Sequence, residues 1–361
     1  MLDESITYDY LTAAGVETNA PPKQSAKSAE LEALGWREWL MTLCPFAFEE
    51  DFSADHIQYW DLVWSVFMRI REQKKYILLG LPIPEQFLIK DKEYIVLLIL
   101  GRGLAKSSTI EAMAMMKGCL IGAGYCLTVC EGQDQADEHI TNIKWLIDSD
   151  ESRVTEFYPH MSLDPNVVFD GKKTKNRTDL FITIGGWICR AKGLDAKLRG
   201  IRIGKWRPDL INVDDIDSVN DSIAVSVKKL RQLLTSVFPT IARLHAQINV
   251  GQNIIIETGV VNTIYSGMSD ALADRTTIGV SNTFEHFREN IEYVSELDDE
   301  DGRVKHKILA TAQPTWKGVS IAAAQRFLSI SGLDSFLAEY MNSFAHQKTG
   351  KVFEFDEKRH L

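Results

Sequence analysis

Short apolar runs, each followed by a stretch with helical spacing, divide most of the chain. The first, Tyr94 to Leu100 (YIVLLIL), carries no formal charge and is almost entirely large and apolar, the composition of a parallel strand covered on both faces. From Ser108 onward Ile110, Met113, Met116 and Leu120 recur at the period of a helix. Tyr125 to Cys130 reads as the next buried strand, and Gln133 to Ile147 as a polar helix returning over it. Asp179 to Ile184 and Gly186 to Arg190 predict an antiparallel hairpin turned at Gly185-Gly186. Leu210 to Val213 predicts a short strand, Asp221 to Val237 a helix, and Asn253 to Gly259 a fourth apolar strand. Val260 to Ile278 reads as helix then strand, and the C-terminal stretch as two amphipathic helices and a polar tail. Strands alternating with helices specify an α/β fold, a mostly parallel, doubly wound sheet with right-handed crossovers and an added antiparallel hairpin.

Upstream of this pattern, residues 1–34 hold one short helix and a polar, proline-containing linker (ETNAPPKQSAKSAE). A helix follows over Leu31 to Thr42. A third is N-capped by Ser53 and places Ile57, Trp60, Val63, Trp64 and Phe67 on one face, the spacing of a helix packed on a core.

Charge and cysteine content narrow the setting. The net charge of −10 argues against a surface that coats nucleic acid throughout, whereas Lys172 to Arg207 is locally rich in base. Five cysteines form no CxxC pair and no HExxH occurs, so a reducing compartment and no zinc site are expected. No apolar run reaches the roughly 18 residues that cross a bilayer, and the first residues carry acid where a signal peptide needs base. A cytoplasmic protein with no membrane partner is the expectation.

Two loops carry chemistry. Gly101-Arg102-Gly103-Leu104-Ala105-Lys106-Ser107 joins the first strand to its helix, and Ser108 opens the helical spacing. A helix N-terminus offers free N–H groups and partial positive charge to phosphate oxygens, glycines let the backbone approach them, Lys106 would reach β/γ oxygens and Ser107 would ligate Mg²⁺. Leu100 stands where the common phosphate-loop pattern has its first glycine, and Ala105 precedes the lysine. The second loop follows Leu210 to Val213 and delivers Asp214, Asp215 and Asp217 at a strand end, where carboxylates hold a Mg²⁺ water shell and orient a water. Either motif alone is common; both in one α/β pattern point to hydrolysis of ATP with Mg²⁺. Thr258, at the end of the fourth predicted strand, is a candidate sensor of the γ-phosphate.

In order and content these features resemble the ATPase domain of the large terminase subunit of tailed bacteriophages. The resemblance lies in FSADHIQYW, GRGLAKSS, LRGIRIGKWRPDLINVDDID and FLAEYMNSFAHQKTGKVF. It implies a P-loop NTPase (RecA/ASCE-like) domain over residues 45–345, an N-terminal helical segment and linker over 1–44, and at 346–361 a linker toward a nuclease domain absent from this chain. By resemblance, Gly101 to Ser108 bind phosphate, Ser107 and Asp214 hold Mg²⁺ (Asp214 through water), and Arg102 contacts the γ-phosphate in the same subunit. The family commonly places Glu after the Mg²⁺-linked Asp; here Asp215 stands there, so Asp215 or Asp217 orients the water. Arg199 and Arg202 are candidates for an arginine finger offered to a neighbouring subunit and equally for a face toward DNA phosphates. His56 or Gln58 would meet the adenine edge. The implied partners are double-stranded DNA, portal protein and small terminase subunit, the implied assembly a pentameric ring, and the setting the cytoplasm of an infected bacterium. A helicase-like ATPase and a nucleotide-binding module without turnover are the alternative readings.

Overall fold

The computed structural model of the chain describes residues 25–169, 172–174, 177–196, 201–242, 246–267, 274–285, 291–295 and 304–343. Its centre is a seven-stranded sheet. The strands are β1 (Ile95–Leu100), β2 (Gly124–Cys130), β3 (Leu180–Ile182), β4 (Trp187–Gly193), β5 (Leu210–Asp214), β6 (Gln247–Gly251) and β7 (Thr276–Ser281), in the spatial order β3-β4-β2-β5-β6-β1-β7. All neighbours are parallel except β3 and β4, which form the expected hairpin. Strands β8 (Ile291–Ser295) and β9 (Val304–Ile308) pair separately and antiparallel.

Helices cover both faces. α1 (Ala26–Ala33), α2 (Trp36–Leu43), α3 (Ala54–Leu78), α4 (Lys106–Ile121) and α5 (Gln133–Asp148) precede the hairpin; α6 (Ile223–Gln232), α7 (Val260–Tyr265) and α8 (Ile321–Met341) follow it. The side chains of β1 alternate between two cores: Val96, Leu98 and Leu100 join the cluster beneath α3, α4 and α5, while Ile95, Leu97 and Ile99 join a second cluster with Val237, Val260 and Ile264. That division is why the strand reads as a continuous apolar run. Among the described residues no helix is long and apolar enough to cross a membrane.

Three elements depart from the sequence reading. The fourth strand is Gln247–Gly251, not Asn253 to Gly259. Its Gln247 and Asn249 are fully buried, and Asn249 donates to Asn212 Oδ1 on β5 (3.4 Å), so polar residues hide a central strand from an apolar-run criterion. Ile254 to Ile256 are buried in the loop beyond it, and the Ile254 N–H is taken by Asn342 Oδ1 at 2.8 Å rather than by a ladder. The helix expected over Leu31 to Thr42 is two, broken at Gly35 in a left-handed conformation (φ 91°), and part of the expected linker is α1, capped by Ser25. The helix from Asp221 begins at Ile223, and its last five residues, Leu233–Val237, form a π turn. The two expected C-terminal helices are present within α8, separated at Gly332, whose backbone is not helical (φ 79°).

The N-terminal helices are bound to the rest of the fold by aromatic packing. Trp39 of α2 is fully buried, donates from Nε1 to Tyr158 Oη (2.7 Å), and that hydroxyl donates to Glu32 of α1 (2.9 Å). Trp39→Ala is expected to lower unfolding free energy by about 3–5 kcal/mol, through lost burial and the lost hydrogen bond to Tyr158, read as a shift in the urea midpoint.

Candidate functional site

The phosphate-loop sequence forms a turn between β1 and α4, and residues 101–108 line a cavity of about 520 Å³. The left-handed conformations of Gly103 (φ 84°) and Ala105 (φ 49°) make the turn. Ala105 is the N-cap of α4 and makes no side-chain cap bond, so the leading N–H groups of Lys106 to Ser108 have no intrahelical acceptor. A non-glycine residue held left-handed stores on the order of 1–3 kcal/mol, and Asp215 across the cavity is held the same way (φ 46°).

Across the cavity stands the end of β5. Ser107 Oγ donates to Asp214 Oδ2 at 2.6 Å, and Lys106 Nζ lies 3.5 Å from Asp215 Oδ1. Asp214 is buried; its second oxygen, Oδ1, is also buried and has no hydrogen-bond partner. Burial works to raise the Asp214 pKa, but hydrogen bonding from His139 and the charge of Lys106 outweigh it and hold the group below its ordinary value. Asp215 moves the other way: desolvation, reinforced by the charge of Asp214, raises it against the pull of Lys106. Two adjacent carboxylates are thus shifted in opposite directions by their surroundings.

The two strands that meet here are not neighbours. β6 lies between them and ends in Gly251, which is in register with Leu98 of β1 and with Asp214 of β5. A Cβ on Gly251 would lie 2.3 Å from Ile110 Cδ1, 3.3 Å from Asp214 Oδ1 and 3.4 Å from Lys106 Cγ. The bare strand end leaves the lysine loop room to reach the acid strand.

The remaining sequence-derived candidates fall in different places. Arg102 borders the cavity, but its guanidinium lies over the Phe327 ring (4.9 Å) and 3.7 Å from Glu339 of α8. Asp217 accepts from the N–H groups of Val260 (2.8 Å) and Val261 (3.0 Å), so both its oxygens anchor the start of α7. Thr258 is not at a strand end but in the turn before α7; the residues at the end of β6 that line the cavity are Gln252 and Asn253. Gln252 Oε1 accepts from Ile216 and Asp217 N–H (both 2.9 Å).

His56 is buried and both ring nitrogens are committed, Nδ1 to the Ser53 N–H in a capping box and Nε2 to the Leu104 carbonyl (2.9 Å), so it braces the phosphate loop from behind. Gln58 is exposed on α3. Arg202 is exposed beside the Ile203–Trp206 bridge, near exposed Lys205 and Arg207, and does not line the cavity; Arg199 lies outside the described residues. Arg177, from the same basic stretch, is paired with Asp179 (2.8 Å).

Three polar groups at the site were not singled out in the sequence. Glu131, just past β2, lines the cavity and is paired with Lys229 (2.7 Å). His139 and Glu111 meet each other at 2.8 Å, and His139 Nε2 is 3.3 Å from Asp214 Oδ2. Burial lowers the basicity of His139, but hydrogen bonds to Asp214, Cys130 and Glu111 more than offset it and raise its pKa. Their signal was faint: Ser107 and Glu111 stand four apart on α4, and Glu131 ends an apolar run, patterns shared with any helix or strand end.

No protein-family model matches the chain, and no curated protein does. Among solved structures it is similar to the large terminase ATPase domain of Thermus phage P74-26, at 12% identity and a TM-score of 0.40, with 75% of this chain and 97% of that one covered. An arginine-to-alanine mutant of the same phage domain is similar at 14% identity and a TM-score of 0.35, covering 60% and 88%. Likeness at this level assigns no residue a role.

The donor set does fit a Mg²⁺-bound phosphate ester: an unpartnered buried carboxylate oxygen, a hydroxyl, an ammonium and free N–H groups converge. Among the described residues no cluster of three or more His, Cys, Asp or Glu side chains is disposed to enclose a metal, so such an ion would draw its other ligands from phosphate and water. Gly251→Ala is expected to lower stability by about 1–3 kcal/mol, as Ile110 and the Lys106 stem are pushed aside, measured by urea denaturation.

Proposed function

We propose that the chain is a Mg²⁺-dependent ATPase, with Lys106, Ser107, Asp214 and Asp215 as its working residues. The observation that carries this is the 2.6 Å bond from Ser107 to Asp214, which brings the two motif loops into one cavity although their strands are separated by β6. The Ser107 hydroxyl gives its proton to Asp214 and keeps lone pairs for a cation. The unpartnered Asp214 oxygen would be the acceptor for a water on such an ion. Mg²⁺ would supply charge neutralisation between the β- and γ-phosphates.

Lys106 is paired with Asp215. When its ammonium turns to phosphate oxygens, Asp215 is released as a carboxylate of raised basicity beside the cavity, suited to orient an attacking water and accept its proton. Asp217 is unsuited to that task because it holds α7. Asp215, one methylene shorter than Glu, is placed by its left-handed backbone.

The narrower reading is the motor of a phage large terminase, coupling hydrolysis to translocation of double-stranded DNA toward a portal. It is supported by the motif order and by GRGLAKSS with RPDLINVDD in the sequence. The exposed Arg202, Lys205 and Arg207 form a basic edge available to DNA phosphates or to a neighbouring subunit in a ring. Contact of Arg102 with α8 makes it a residue that would have to leave Glu339 and Phe327 to meet a γ-phosphate.

Steady-state phosphate release tests the assignment. Asp215→Asn is expected to slow release roughly 10²–10⁴-fold, the contribution of a general base, with Lys106→Ala down by about 10²–10³-fold. Asp217→Asn should chiefly lower stability and leave turnover within about tenfold. Equal losses in the two aspartate variants would move the base away from Asp215, and unchanged turnover in Lys106→Ala would remove the cavity from the chemistry.

A further inference from the structure

We propose that His139 is a positioning residue that fixes Asp214 for capture of a divalent cation, with Glu111 and Asn142 holding its ring. The inference rests on the nucleotide-site reading above and adds residues outside both motif loops. His139 Nδ1 lies 2.8 Å from Glu111 Oε1 and Nε2 lies 3.3 Å from Asp214 Oδ2. Asn142, one turn further along α5, donates from Nδ2 to the same Glu111 oxygen at 2.9 Å. Glu111, one turn along α4 from Ser107, is thereby locked from two sides.

The result is a buried line of side chains, Asn142–Glu111–His139–Asp214–Ser107, tying α4, α5 and β5 together at one carboxylate. Its effect on Asp214 is asymmetric. Oδ2 receives the Ser107 hydroxyl and the His139 ring, whereas Oδ1 is buried without any partner. Pinning one oxygen removes the rotation that would otherwise let either face the cavity. Partners of this kind commonly orient a metal-binding group by gripping the atom that does not bind; here an imidazole grips a carboxylate.

An apolar set could also tie α4, α5 and β5 together, but only a polar ring places a nitrogen 3.3 Å from Asp214 Oδ2. The cluster is also well separated in role from Lys106, which pairs with the adjacent Asp215.

The test measures binding of a fluorescent ADP to the full chain, by anisotropy, in titrations with Mg²⁺ and in EDTA. Wild type should bind more tightly with Mg²⁺. His139→Ala is expected to raise the Mg²⁺ concentration at half-effect about 10–100-fold while leaving affinity in EDTA within about twofold. His139→Gln, which keeps one donor for Asp214, should recover part of the Mg²⁺ effect and serves if the alanine variant does not fold. An unchanged Mg²⁺ half-point in a folded variant, or equal loss of affinity with and without Mg²⁺, would overturn the positioning role while leaving the nucleotide site standing. Failure of wild type to bind the nucleotide at all would instead overturn both.

Discussion

The site depends on a strand that carries none of its chemistry. β6 separates the strand before the lysine loop from the strand that bears the paired acids, and adjacent strands stand about 4.8 Å apart, so the two motif loops begin roughly 10 Å from each other. They meet because β6 ends in Gly251, leaving its tip without a side chain between the Lys106 stem and Asp214. The same close approach lets Ile110, on the first turns of α4, settle over the end of β6 and set the height of the helix.

Electrostatic balance is the second constraint. Asp214, Asp215, Glu111 and Glu131 gather within one end of the sheet, and each has an assigned partner: His139 for Asp214 and Glu111, Lys106 for Asp215, Lys229 for Glu131. For the two aspartates, burial pushes the pKa up and the paired donors pull it down. That Asp214 is pulled down and Asp215 pushed up, one residue apart, reflects their surroundings rather than their identity. The left-handed backbone at Asp215 and Ala105 adds strain on both sides of the cavity, held in place by the sheet.

The C-terminal helix is part of this site rather than an appendage. The Arg102 N–H donates to Glu339 O (2.7 Å), Thr283 N–H to Tyr340 O (2.7 Å), and Asn342 bridges Ile254 N–H and Ser281 O. Gly101 has no room for a side chain, since a Cβ would sit 2.5 Å from Tyr340 O and from Thr283 Oγ1. Its absence of a Cβ therefore serves helix packing as well as loop shape. The loop that would hold phosphate, the tip of β6 and the end of α8 form one hydrogen-bonded body.

The amino-acid order determined the α/β class, the alternation of strands and helices, and both motif loops, because an apolar run buried on two faces and a small-residue turn ending in Lys-Ser are local patterns. It also specified the Ser53 cap of α3 through a residue type and its spacing. It did not reveal β6, where buried Gln247 and Asn249, bonded to Glu93 O and to Asn212 Oδ1, break the apolar signature, and so it placed the strand tip at Thr258 instead of Gln252. Nor did it distinguish Asp217, whose oxygens are spent on α7, from Asp215, or identify His139 and Glu111. Those outcomes belong to tertiary structure: the partner of a polar side chain is chosen by which elements the fold brings within about 3 Å, and residues far apart in the chain leave no periodic trace of that meeting.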